Sequence, residues 1–262
     1  MKITKQQLDH WRRDGFLKIP GFLNQAETET LKGWVEDIES WKDSPDKWMH
    51  HWEDTKYGVR LSRSENWVPY HTGMRGLLTA GKVLEVLADL MGEPAVLYKE
   101  KINYKYPGGG GYAPHQDAPA YDELKHHVTC LVSSDPATKH NGCLEFCSGR
   151  HLEGLIGLDA KGCIQSSVAD TLEWAPLETE PGDAVFFDSY APHRSFVNHS
   201  DEPRRTLYVT YNALSEGDKR AAYYERKRQA LKDYATKGTD RISTIGHFQG
   251  KTVQPSTIEN LS

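Results

Sequence analysis

Long apolar runs are missing from this chain of 262 residues, and no stretch approaches the roughly 18 residues that a membrane-spanning helix needs. No membrane partner is therefore expected. Basic blocks are missing too. Lys and Arg number 32 against 37 Asp and Glu, a formal net charge of −5, which argues against nucleic acid as a partner. The four cysteines, Cys130, Cys143, Cys147 and Cys163, are too few for a disulfide framework in a chain of this length. Cys143 and Cys147 lack a second pair at zinc-finger spacing, so buried, reduced thiols are expected. The opening Met1-Lys2-Ile3-Thr4-Lys5-Gln6-Gln7 has no apolar core of a secretory signal, and the cytoplasm is the expected compartment. Gly108 to Gly111 form a glycine run, but neither a Gly-Lys-Ser/Thr step nor a helical pattern follows it, which excludes a nucleotide-binding loop.

What is present is enough for one large domain spanning 1–262. Hydrophobic residues make up 37% of the chain and aromatic residues 10%, well outside disordered composition. Thr4 suits the cap of a helix reaching about Arg13, with Asp14-Gly15 as its stop. Phe16-Leu17-Lys18-Ile19 reads as a short strand, and Leu31, Trp34, Val35 and Ile38 recur at helical spacing over 26–38. Residues 42 to 58 are polar and turn-rich and read as a loop. His50 and His51 within it point apart, so a solvated or substrate-side loop is expected there, not a shared ion. A strand-like stretch covers 60–67. Val83, Val86, Leu87 and Leu90 make an amphipathic helix that ends at Gly92.

Residues 95–106 form the longest strand. Val96, Tyr98, Glu100, Ile102 and Tyr104 share one face, and Lys99, Lys101, Asn103 and Lys105 share the other. Shorter strands fit 127–133, 143–146, 184–188 and 204–211. Ser215 is placed to cap a charged helix to about Tyr234, with Ala221, Tyr224 and Leu231 as its apolar side. The polar tail from 237 is expected to drape or fray. Many short strands with turn signals, flanked by helices at both ends, suggest a double-stranded β-helix, a jelly roll with helical buttresses.

The chemistry concentrates at two distant places. His115 and Asp117 are alternate residues of an extended segment, so an imidazole and a carboxylate can reach one ion from a short piece of backbone. A third ligand must come from elsewhere, and His193 is the candidate. Two imidazoles and one carboxylate on one face of an octahedron leave the opposite positions open, as non-haem Fe(II) oxygenases require.

The surroundings of these residues resemble the phytanoyl-CoA dioxygenase family. Lys99-x-x-x-Asn103 precedes the glycine run and His115-x-Asp117; Asp135 and Asn141-Gly142-x-Leu144 follow; Ser195 and Arg204 come after His193. The resemblance implies an Fe(II)-dependent hydroxylase with 2-oxoglutarate and O₂ as co-substrates. It assigns the metal to His115, Asp117 and His193, and the distal carboxylate of 2-oxoglutarate to Arg204. Ser195 and Thr129 would donate further hydrogen bonds, and Asn103 would steady the carboxylate at the metal. The family's spacing selects Arg204 over Arg205, and alternation turns the two opposite ways. A carboxylate at position 117 implies hydroxylation, not halogenation. Cys147-Ser148-Gly149-Arg150-His151 departs from the family's Pro-Gly-Ser-His step, so His151 is expected to be structural.

If Asn103 faces the metal, alternation turns Lys99 and Lys101 into the same interior. A lysine is rarely buried without an anion to answer it. Lys99 is then expected to serve 2-oxoglutarate and Lys101 a small anionic substrate, with Glu65 as an alternative counter-charge and Arg60 and Arg63 assisting near the mouth. Among the family's activities, hydroxylation beside a phosphonate, as in 2-aminoethylphosphonate dioxygenases, fits this better than a long acyl-CoA. An oxygenase of a secondary metabolite and a cupin-like metal-binding protein without oxygenase activity stand as the alternatives.

Overall fold

Alternation along a few strands organises the whole molecule. The computed structural model describes residues 1–44, 46–236, 243 and 245–253. Among these, the strands are β1 Phe16–Ile19, β2 Met49–Thr55, β3 Gly58–Glu65, β4 Ala95–Lys105, β5 Tyr112–His115 and β6 His127–Ser133. They continue as β7 Leu144–Phe146, β8 Ala175–Leu177, β9 Ala184–Asp188, β10 His193–Ser195, β11 Arg204–Ala213 and β12 Lys251–Val253. The helices are α1 Lys5–Asp14, α2 Gln25–Glu39, α3 Thr72–Leu78, α4 Lys82–Met91, α5 Ser166–Ala169 and α6 Arg220–Thr236.

The strands form an eight-stranded sheet in the order β1-β9-β6-β11-β4-β3-β2-β12 and a four-stranded sheet in the order β5-β10-β7-β8. This is the double-stranded β-helix. On the outer face of the large sheet, Ile102 and Tyr104 of β4, Leu207, Val209 and Tyr211 of β11, and Val128, Cys130 and Val132 of β6 pack under the helices. The opposite face meets the small sheet. There Leu131, Val185, Phe187 and Tyr208 close on Leu144 and Phe146. One residue in two of each strand is thus committed to an interior that is apolar only at one end.

The helices brace the outer face, and their ends are where the sequence signals them. Thr4 and Gln7 form a capping box at α1, and Asn24 and Glu27 do the same at α2. Gly15 ends α1 at φ 80°, and a Cβ there would lie 2.5 Å from the His151 ring, so that turn requires glycine. His151 packs at this corner, against Gly15. All four cysteines are buried and free. No helix of the described residues is long and apolar enough to cross a membrane.

Three expectations need correction. Residues 42–58 are not a loop: β2 and β3 pair as a hairpin, with His51 opposite Arg63 and Trp52 opposite Leu61. His50 and His51 are both buried, and they do point apart. His50 bonds the Ser64 hydroxyl and the Trp41 carbonyl, whereas His51 lies 3.6 Å from Glu65. Helix α6 begins at Arg220, and Ser215 bonds Glu93 instead of capping it. Its buried face is Tyr223 and Tyr224, with Ala221 exposed and Leu231 only partly covered. The tail does not simply fray. Much of it lies outside the described residues, but β12 pairs with β2, and Ile245 and His247 are buried.

Buried charges hold α6 to the large sheet. The fully buried Glu100 accepts from Arg220 Nη2 at 2.6 and 2.7 Å, from the Val68 amide at 2.9 Å and from the Tyr224 hydroxyl at 3.2 Å. Removing one partner of a buried ion pair strands the other and typically costs about 3–5 kcal/mol. Arg220→Ala is accordingly expected to lower the unfolding free energy from urea titration by an amount of that order. A change under about 1 kcal/mol would show that α6 is held by its tyrosines alone.

Candidate metal centre and its cationic surround

The small sheet brings the first two imidazoles together. β5 and β10 are antiparallel neighbours with His115 directly opposite His193, and the two rings stand 4.1 Å apart. Asp117 follows just past the end of β5, and the ligand atoms of His115, Asp117 and His193 all lie within 4.8 Å of one another. Each Nδ1–H donates to a nearby carbonyl, His115 to Ala113 at 2.7 Å and His193 to Ala191 at 3.0 Å. A carbonyl can only accept, so both Nε2 atoms carry a lone pair. Burial pushes the His115 pKa down to about 3 and lowers that of His193, which leaves both rings neutral at neutral pH. Burial opposes ionisation of Asp117, but His193, Lys101, His115 and Lys99 outweigh it and keep the carboxylate charged far below its usual range. Two neutral imidazoles and one anion, aimed at one point, fit a divalent cation with open positions.

A second cluster sits where β4, β11 and β10 meet. Arg204 and Lys105 are partners across the β4–β11 ladder, and both are buried. Lys105 Nζ donates to Ser195 Oγ at 2.9 Å and to the Phe196 carbonyl at 2.6 Å. Arg204 interacts with the Tyr208 hydroxyl while its Nε has no hydrogen-bond partner. Among the described residues neither cation has a carboxylate within ion-pair distance. Arg204, with donors to spare, fits an organic carboxylate, while Lys105 also reaches the Gly142 carbonyl at 3.4 Å and so has all three donors engaged. Arg205 turns the other way, bonding Asp135 through Nε at 2.8 Å and Nη2 at 3.0 Å. Thr129 meets Thr210 on the same interior face, at 3.2 Å. Asn103 Oδ1 accepts from Arg63 Nε at 3.2 Å. Lys105 had no role in the sequence reading, although its place on the face of Asn103 was visible there.

The opposite end of β4 is also cationic. Lys99 Nζ lies 4.4 Å from the Tyr121 ring centre, and Lys101 Nζ lies 5.1 Å from that of Tyr208. Neither ammonium has a hydrogen bond or ion pair among the described residues, and both feel the charge of Asp117. His127, next along the inner face of β6, is buried with both ring nitrogens unpartnered and its ring 5.1 Å from Tyr121.

Lys99 is therefore not a neighbour of Arg204. Lys99 pairs with Thr210 and Lys105 with Arg204, about 20 Å apart along the strand at its usual rise. Glu65 favours the charged form of Lys99, as expected, but it makes no ion pair with either lysine, because Lys227 holds it at 2.5 Å and Arg63 at 3.2 Å. Arg63 is spent on Glu65, Asn103 and the Tyr112 hydroxyl. Arg60 is exposed and donates to the Val59 carbonyl, so it takes no part in this interior.

The C-terminal segment supplies a residue that sequence reasoning missed. The Ala113 amide donates to the His247 carbonyl at 2.7 Å, and the Gln249 amide donates to that of Gly111 at 3.0 Å. This lays the His247 ring 4.2 Å from His115. One histidine in a polar tail carries no periodic signal, so only the chain's return to β5 reveals it.

The comparisons with known proteins agree with this geometry. The model of the phytanoyl-CoA dioxygenase family matches residues 11–206. A methylphosphonate hydroxylase of Gimesia maris is 54% identical over 254 residues, 96% of this chain and 98% of that protein. A 2-aminoethylphosphonate dioxygenase of an uncultured bacterium is 44% identical over 231 residues, 87% of this chain and 88% of that protein. Among solved structures, EctD from S. alaskensis with 2-oxoglutarate and 5-hydroxyectoine superposes with a TM-score of 0.70 at 19% identity, covering 82% of this chain and 77% of EctD. With the family model spanning most of its length and a candidate metal triad brought together by the fold, the chain belongs to the phytanoyl-CoA dioxygenase family of iron- and 2-oxoglutarate-dependent oxygenases.

Proposed function

We propose that this enzyme hydroxylates a small phosphonate, with His115, Asp117 and His193 holding Fe(II). The observation that carries the substrate class is the trio of unspent donors, Lys99, Lys101 and His127, gathered on the Asp117 side of the triad. Buried cations without partners call for an anion. The two similar proteins named for phosphonates supply the kind of anion that fits. Iron and 2-oxoglutarate, when bound, supply the oxidation by O₂; the chain supplies orientation and the charge balance around them.

On this reading Arg204 grips the distal carboxylate of 2-oxoglutarate. Ser195 already accepts from Lys105, so its own hydrogen is free to point at the same carboxylate. Lys105, not Lys99, is the lysine of that subsite. Thr129, opposite Thr210 and so at the Lys99 end of the sheet, lies away from Arg204, and Asn103, fixed by Arg63, faces the metal side. Lys101 and His127 hold the phosphonate oxygens. A metal-binding protein without oxygenase activity would have no use for two buried cations at Ser195, which weighs against that alternative.

Three outcomes are expected. Because burial holds His115 neutral and lowers the His193 pKa, affinity for Co(II), measured by calorimetry, should fall less between pH 8 and pH 6 than at a site of ordinary histidines, which begin to lose metal near pH 6.5. His115→Ala should abolish that binding. Arg204→Ala should raise the 2-oxoglutarate requirement about thirtyfold or more, since losing a buried charged pair costs about 2–5 kcal/mol. Arg205→Ala should leave it nearly unchanged, and an exchange of the two behaviours would contradict the strand register. Finally, succinate release should be stimulated by methylphosphonate or other small phosphonates and not by neutral hydrophobic compounds. Preference for the neutral set would refute the assignment.

A further inference from the structure

We infer that Lys99 makes the site select against substrates bearing an ammonium group, which narrows the phosphonate reading, on which this rests, to phosphonates with short uncharged substituents. The inference starts from three tyrosines. The rings of Tyr98, Tyr121 and Tyr223 meet pairwise, at 5.3 Å for Tyr98 and Tyr121, 4.8 Å for Tyr98 and Tyr223, and 5.8 Å for Tyr121 and Tyr223. Such a box of aromatic faces is what recognises an organic ammonium. Here the box is filled from within. Lys99 Nζ stands 4.4 Å from the Tyr121 centre and 5.9 Å from that of Tyr223.

An ammonium on the substrate would need either those faces or a free carboxylate, and the neighbourhood offers neither. Glu65 is held by Lys227 and Arg63. Glu123 is held by the Tyr98 hydroxyl and by Arg226. Asp117 belongs to the metal triad. Asp122, the other acid at this cavity, is exposed to solvent. Burial pushes the Lys99 pKa down to about 8, so the side chain stays mainly charged at neutral pH and repels a second cation. Space is not the limit. A cavity of about 240 Å³, lined by Lys99, Tyr121, Tyr223 and Leu231 among others, adjoins the box. Charge, not size, is then what turns an aminoalkylphosphonate away.

The test uses two ligands of equal length that differ in charge, n-propylphosphonate and 2-aminoethylphosphonate. Each is titrated calorimetrically, without oxygen, into enzyme loaded with Fe(II) and 2-oxoglutarate. The wild-type protein is expected to bind propylphosphonate at least tenfold more tightly. Lys99→Ala, which empties the box, and Lys99→Met, which removes only the charge, should each move that ratio at least tenfold toward the amine, with thermal unfolding confirming that both fold. Equal or tighter binding of 2-aminoethylphosphonate by the wild type overturns the inference, as does failure of both ligands to bind or a ratio unmoved in both variants. Methylphosphonate-driven succinate release separates the two levels. If it occurs while the ratio fails, only the selectivity falls; if it does not occur, the phosphonate reading falls and takes the selectivity with it.

Discussion

Positive charge buried without a counter-charge is the constraint on which this structure turns. The inner face of β4 and β11 carries Lys99, Lys101, Lys105 and Arg204, and the pleat leaves them no route to the outer surface, which the helices cover. Of the buried acids nearby, Glu65 is held by Lys227 and Arg63, and Asp117 is part of the candidate metal triad. Burial pushes Lys101 and Lys105 well below the ordinary lysine range, so these groups keep their charge most readily when anions arrive from outside. The fold is thus incomplete as a charge balance until its small molecules are bound. That deficit is split between the two ends of β4, which is why one end suits a dicarboxylate and the other a second anion.

The same economy explains how the interior is closed. Helix α6 crosses the sheet on two buried pairs, Arg220 with Glu100 and Lys227 with Glu65. The first pins the helix to the outer face of β4, and the second reaches the charges within. The segment around His247 lies across β5 by backbone hydrogen bonds and sets one more ring against His115. Both elements come from the C-terminal part of the chain, beyond the matched family region. The candidate metal triad and the basic groups of β4 and β11 sit within the barrel, whereas the tyrosine box borrows Tyr223 from α6.

The periodic elements were legible because their signals are local. The strand from 95, the α4 stripe and the cap at Thr4 each depend on neighbours within a few residues and stand as read, except that a bulge beside Lys99 sets Leu97, not Val96 and Tyr98, in the core with Ile102 and Tyr104. Strand β2 was misread because its polar residues, His51 and Glu53 among them, are buried, so burial does not show as hydrophobicity. The tail was misread for a similar reason. Lys251 to Val253 become a strand only because the edge of β2 offers unpaired backbone groups.

At the centre itself, the sequence alone determined which side chains share a face. Alternation places Lys99, Lys101, Asn103 and Lys105 together, separates Arg204 from Arg205, and sets His115 and Asp117 at metal-binding spacing, because strand period is a property of the backbone. Only the tertiary structure decided which of those residues are spent and which remain available. It gave Lys105 to Ser195 and Lys99 to a tyrosine box, it used up Glu65 and Arg63 on each other, and it sent Arg60 to solvent. Partnership depends on distances across strands far apart in the chain, and no local period records those.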